Sequence, residues 1–129
     1  MAPRLRLSSV SLDAPDAHEL ADFYCRLLGL TVAVDEPDDV ILRPLDGGTS
    51  LSFQTARNYV PPTWPAEEGD QQMQLHLEIE VDDLDVALGH ALAQGATLAA
   101  FQPQDDVRVC LDPAGHPFCL WVPTEGLSP

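Results

Sequence analysis

Apolar and polar positions change period several times along the chain, and each change predicts an element. Over 5–12, Val10 and Leu12 fall on one face of a strand and Ser9 and Ser11 on the other. Helical spacing follows in Leu20, Phe23, Tyr24, Leu27 and Leu28. Asp13 and Pro15 open this helix, since a short acceptor caps free amides and proline suits a first turn, and Gly29 stops it. Three short strands are predicted next, over 31–35, 39–43 and 50–55, with Asp46-Gly47-Gly48 turning into the third.

Residues 57–72 break the pattern. They are polar and centred on Pro61-Pro62-Thr63-Trp64-Pro65, which predicts a long loop. The first pattern then returns. Leu75, Leu77, Ile79 and Val81 alternate with Gln74, His76, Glu78 and Glu80, and Asp82 or Asp83 caps a helix carrying Leu84, Leu88, Ala91 and Leu92 that ends at Gly95. Strands are predicted over 96–100, 107–111 and 117–122. In the last hairpin Val107, Val109 and Leu111 are assigned to one apolar face with Phe118, Leu120 and Val122. That leaves Arg108, Cys110, Cys119 and Trp121 opposite, with the two cysteines facing each other across the turn. The expected architecture is α+β: a single domain over 1–129 made of two βαβββ modules, about 4–56 and 73–123, joined by the proline-rich loop.

Composition narrows the partners. A chain of 129 residues with 45% hydrophobic content can bury a core without staples. Its six basic residues are all arginine, and 21 acidic residues bring the formal net charge to -15, which disfavours nucleic acid and anionic membranes. The basic start of the chain lacks an apolar signal run and no segment reaches spanning length, so a cytoplasmic location is expected. Cys25, Cys110 and Cys119 have no metal-knuckle spacing and suit free thiols in a reducing compartment.

Four stretches together resemble the vicinal oxygen chelate superfamily, the glyoxalase and bleomycin-resistance-like proteins, and more closely its glyoxalase-like domains. They are Leu12-Asp13-Ala14-Pro15-Asp16; Phe23-Tyr24 with Leu28-Gly29-Leu30; His76-Leu77 before Val81-Asp82-Asp83-Leu84; and Asp112-Pro113-Ala114-Gly115-His116-Pro117-Phe118-Cys119-Leu120. The resemblance implies two βαβββ modules curled into a half-open cup, a small-molecule ligand, and often a homodimer. It also implies a divalent metal held from the first and last strands of each module. Here those positions fall on Ser9, on Ser52 or Gln54, on His76 and on Cys119, so the standard ligand set is incomplete and His76 is its one clear member.

Strand alternation places a mixed group of side chains opposite the core: Ser9, Ser11, Ser52, Gln54, His76, Glu78, Arg108, Cys110, Cys119 and Trp121. His76 and Glu78 point the same way; they are a general base or metal ligand on one reading, a hydrogen-bonded pair at the cup mouth on the other. Arg108 recognises an oxyanion or pairs with an acid, and the cysteines bind a soft metal or simply pack. Trp64 closes over the cup or anchors its loop. His116 is expected to shape the turn, and His18 and His90 to be solvated. Two functions follow. One is a glyoxalase-like lyase or isomerase that abstracts a proton beside a carbonyl with His76 or Glu78; substrate contacts come from Ser9, Ser52, Gln54, Trp64, Arg108, Cys110, Cys119 and Trp121. The alternative is a non-catalytic dimer that sequesters a cationic or aromatic drug or metabolite.

Overall fold

The computed structural model describes residues 3–123. The chain divides into two compact units at Tyr59 and Val60. In the first, strand β1 (Ser9–Ala14) leads into helix α1 (Ala17–Leu28) and strands β2 (Thr31–Glu36), β3 (Asp39–Arg43) and β4 (Ser50–Thr55). The sheet order is β1-β4-β3-β2, with β1 parallel to β4 and the other pairs antiparallel. Helix α1 packs on one face of the sheet through Leu20, Phe23 and Tyr24. Tyr24 stacks on Phe53 with ring centroids 5.6 Å apart, and Phe23 meets Tyr24 edge-on. These aromatic side chains are fully buried, each contributing about 2 to 3 kcal/mol of transfer free energy. The other face carries Ser9, Ser11, Asp13, Ser50, Ser52 and Gln54.

Two boundaries differ from the sequence pattern. Leu5 and Leu7 lie outside β1 and are exposed, because pairing with β4 begins at Ser9↔Ser50. At the other end Asp13 pairs with Gln54 and stays in the strand, so the helix cap is Asp16, whose side chain accepts a hydrogen bond from the His18 amide. The expected stop is present: Gly29 has φ 67° and its amide donates to the Cys25 carbonyl. His18, expected to be solvated, places Nε2 2.8 Å from the Asp35 carboxylate on the surface.

The second unit repeats the order with β5 (Leu77–Glu80), α2 (Leu84–Gln94), β6 (Thr97–Leu98), β7 (Val107–Leu111) and β8 (Pro117–Trp121). Its sheet runs β5-β8-β7-β6, with β5 parallel to β8. Asp83 is the cap of α2, accepting from the Val86 amide. Ala91 is buried, whereas Leu92, expected in the apolar stripe, is exposed. Phe118, Leu120 and Cys110 form the buried face of β7 and β8.

Strand β6 is shorter than predicted, for a visible reason. After Leu98 one backbone bond remains, from the Ala99 amide to the Val109 carbonyl at 3.0 Å, and a side chain takes over: the Gln102 amide donates to the carbonyls of Ala99 and Val109, and its oxygen accepts from the Val109 amide, each at 2.8 Å. One glutamine therefore satisfies backbone groups that a longer strand would have paired. The two units thus hold two four-stranded mixed sheets and two helices, an α+β architecture of two βαβββ repeats. No described helix is long and apolar enough to cross a membrane.

Candidate functional site

The second unit brings His76, Glu78 and Cys119 together. His76 immediately precedes β5, Glu78 lies within it, and Cys119 is the residue paired with Glu78 on the neighbouring parallel strand. His76 Nε2 lies 2.5 Å from a Glu78 carboxylate oxygen, so the ring N–H donates and the carboxylate accepts. The Cys119 thiol is pushed up to about 12, first by burial, then by the charge of Glu78 and the hydrogen bond it shares with that carboxylate. Glu78 is therefore the acceptor for two proton-bearing neighbours.

These groups form one wall of a pocket of about 180 Å³. Trp64, Met73, Pro103, Val107, Val109 and Pro117 make it largely apolar, and Gln104 adds an amide. Trp64 lines the pocket while its indole N–H donates to the Phe101 carbonyl at 3.3 Å and its ring lies 6.0 Å from that of Phe101.

The hairpin register corrects the predicted face of two residues. Val109 pairs with Cys119 and Cys110 with Phe118, so Cys110 and Cys119 point to opposite faces. Cys110 is fully buried beside Phe118, and burial pushes its thiol up to about 11. Arg108 pairs with Leu120 and shares the Cys110 face; its guanidinium donates to the carbonyls of Asp105 and Val107, 3.0 and 2.9 Å away. Neither residue lines the pocket. Trp121 shares the Cys119 face, two positions farther along β8, but does not line it either.

The offset comes from the turn. Asp112 is buried, and its carboxylate accepts from the Ala114 amide, the His116 amide and His116 Nδ1, all within 3.1 Å. Gly115, at φ 91°, lets the chain close so that the Asp112 amide meets the His116 carbonyl. Leu111 then pairs with Pro117, and every later pair is shifted by one from the symmetric expectation. His116 shapes the turn, as expected.

Ser9, Ser52 and Gln54 belong to the first unit. The hydroxyls of Ser9 and Ser52 hydrogen-bond to each other, and Gln54 is exposed on the same sheet face. Among the pocket residues, Met73, Pro103, Gln104, Val107 and Val109 carry no sequence signal for a site. The first three sit in loops without a motif, and alternation assigns the two valines to the core face.

The divalent metal implied by the resemblance can be tested against donor chemistry. An imidazole nitrogen, a carboxylate oxygen and a thiol sulfur lie within 4.8 Å of one another in His76, Glu78 and Cys119. Three ligands of mixed nitrogen, oxygen and sulfur type suit a borderline cation such as zinc(II), whereas a hard cation seeking only oxygen finds a single carboxylate. The set fits a borderline cation.

The fold defines a class before the site defines a chemistry, that of the vicinal oxygen chelate superfamily. The chain belongs to its glyoxalase-like domain family, which it matches over residues 9–121. No curated protein matches it. Among solved structures it is similar to a glyoxalase/bleomycin resistance protein/dioxygenase family enzyme from Burkholderia phytofirmans PsJN, at 22% identity and TM-score 0.69, covering 92% of this chain and 98% of that one. A possible glyoxalase from Bacillus cereus superposes with TM-score 0.67 at 13% identity, covering 92% and 99% of the two chains. Lactoylglutathione lyase from Agrobacterium tumefaciens gives 0.60 at 15% identity, covering 94% and 96%. Identities this low establish a shared fold.

Proposed function

We propose that the second unit carries an acid–base site for a small carbonyl compound, acting as a lyase or isomerase through Glu78 and His76. The observation that supports this most directly is the 2.5 Å contact between His76 Nε2 and the Glu78 carboxylate at the wall of a largely apolar pocket. A carboxylate takes the proton from a carbon beside the carbonyl, the C–H electron pair forms the new C–C double bond, and the carbonyl π pair moves onto oxygen. For a substrate with a hydroxyl on that adjacent carbon, His76 gives its N–H proton to the carbonyl oxygen and takes the hydroxyl proton in exchange; the hydroxyl oxygen becomes the new carbonyl as Glu78 returns its proton to the former carbonyl carbon, which completes an isomerisation. Cys119 keeps its proton and holds Glu78 in place. Were a borderline cation bound by His76, Glu78 and Cys119, it would supply polarisation of the substrate oxygen.

Trp64 and Glu78 on the same pocket support a second reading, the binding of an unreacted cationic aromatic compound. Proton exchange separates the two. In deuterated buffer, small ketones and aldehydes with an adjacent oxygen, together with lactoylglutathione, are followed by proton NMR with the wild-type chain, His76→Ala and Glu78→Gln. Loss of an α-proton signal that requires both side chains supports catalysis. Exchange that persists in Glu78→Gln refutes the assigned base. Saturable binding of an aromatic cation with no exchange of any compound favours the binding reading.

A further inference from the structure

We infer that the first unit contains a binding pocket for a small dianion bearing carboxylate or phosphate oxygens, held by Arg6 and Arg43. The pocket measures about 350 Å³ and is built only from first-unit residues, so the inference does not depend on the reading of His76 and Glu78. Arg43 ends β3 and Arg6 lies in the segment before β1. The same pocket is lined by Ser8, Ser9 and Ser50.

Local charge makes this placement informative. The chain has six basic residues against 21 acidic ones, so its overall field repels anions and an exposed arginine has many carboxylates within its reach. Yet neither Arg6 nor Arg43 takes part in an ion pair among the described residues. Two of the six basic residues thus converge on one pocket without a protein counter-charge.

Asp46, the acid in the turn whose glycines line the pocket, is restrained by its own loop. Asp46 accepts a hydrogen bond from the Gly48 amide at 3.1 Å, while the Gly47 amide donates to the Pro44 carbonyl. The two glycine amides at the pocket are thus occupied within the turn, and recognition falls to the guanidinium groups and serine hydroxyls. The Ser50 amide donates to the Ser8 carbonyl at 3.0 Å, which ties the arginine-bearing segment to β4. Planar guanidinium donors match the paired oxygens of either a carboxylate or a phosphate, and two of them match a dianion better than a monoanion. Screened by the acidic surface, such a site works at contact range and selects ligands that reach both arginines.

The test uses inorganic phosphate and succinate as separate probes, titrated at constant ionic strength while backbone amide resonances are followed by NMR. Saturable shifts at Ser8, Ser9, Gly47 and Ser50 are expected with at least one probe, and the stronger probe identifies the anion type. Arg6→Ala and Arg43→Ala should each weaken binding about ten-fold, the loss of one charged hydrogen-bonding partner, while Arg57→Ala, elsewhere in the unit, leaves it unchanged. Preserved resonance dispersion reports that the exposed substitutions leave the fold intact. Absence of saturable shifts with both probes overturns the inference, as does equal weakening by Arg57→Ala.

Discussion

Glu78 and Cys119 stand directly opposite each other in the parallel β5–β8 pair, and the carboxylate shares a hydrogen bond with the thiol. The contact ties the two halves of the cluster together: the strand that follows His76 and the strand that follows the Asp112 turn meet at one acceptor. It also fixes the chemistry available there, because a thiol held protonated beside a carboxylate is a donor rather than a nucleophile.

Alkylation of Cys119 by iodoacetamide is therefore expected to be slow at neutral pH and to keep accelerating well into the alkaline range, since its thiol is pushed up to about 12. Glu78→Gln removes the repelling charge and should raise the rate at any fixed pH near 9 or above. Site-resolved peptide mass spectrometry provides the measurement. Rapid modification at neutral pH would contradict the contact.

Stability should fall in alkali through the buried Cys110. Its folded pKa, about 11, lies above the ordinary 9.0, so the folded chain keeps a proton that the unfolded chain releases. The contribution is complete below pH 9 and is lost as pH climbs toward 11, at up to about 1.4 kcal/mol per pH unit. Cys119 acts with the same sign up to about 12. Urea unfolding across this range should give a shallower decline for Cys110→Ala than for the wild-type chain.

Gln102→Ala should destabilise the second unit by about 1 to 3 kcal/mol, because it removes the side-chain partner of the Val109 amide and of the Ala99 carbonyl, while the Val109 carbonyl keeps the Ala99 amide. Hydrogen exchange offers a local check. The Val109 amide should lose protection while amides of β4, in the first unit, keep theirs.

Zinc(II) gives a direct test of the donor set. Added to chain stripped with a chelator, it should bind at one equivalent and release the Cys119 thiol proton, and His76→Ala or Cys119→Ser should each weaken binding by about ten-fold or more. Calorimetry in two buffers of different ionisation enthalpy reads both affinity and proton release. Unaltered binding in either variant would place the metal elsewhere.

The sequence by itself determined both repeats, the stops at Gly29 and Gly95, and the common direction of His76 and Glu78, since these rest on local period and backbone freedom. The turn at Asp112 was legible as a turn, but its closing geometry was not. Three hydrogen bonds to one buried carboxylate and a left-handed Gly115 set the pairing one residue away from symmetry. In a sheet with period two that single step transfers Cys110 and Arg108 to the opposite face from Cys119 and brings Val107 and Val109 to the pocket. Alternation cannot decide this when both faces of a hairpin carry apolar residues. The convergence of Trp64, Gln104 and Cys119 on one pocket, and of Arg6 with Arg43 on another, likewise joins residues far apart in the chain. Local pattern specifies which way a side chain points along its own strand; tertiary pairing decides what it meets.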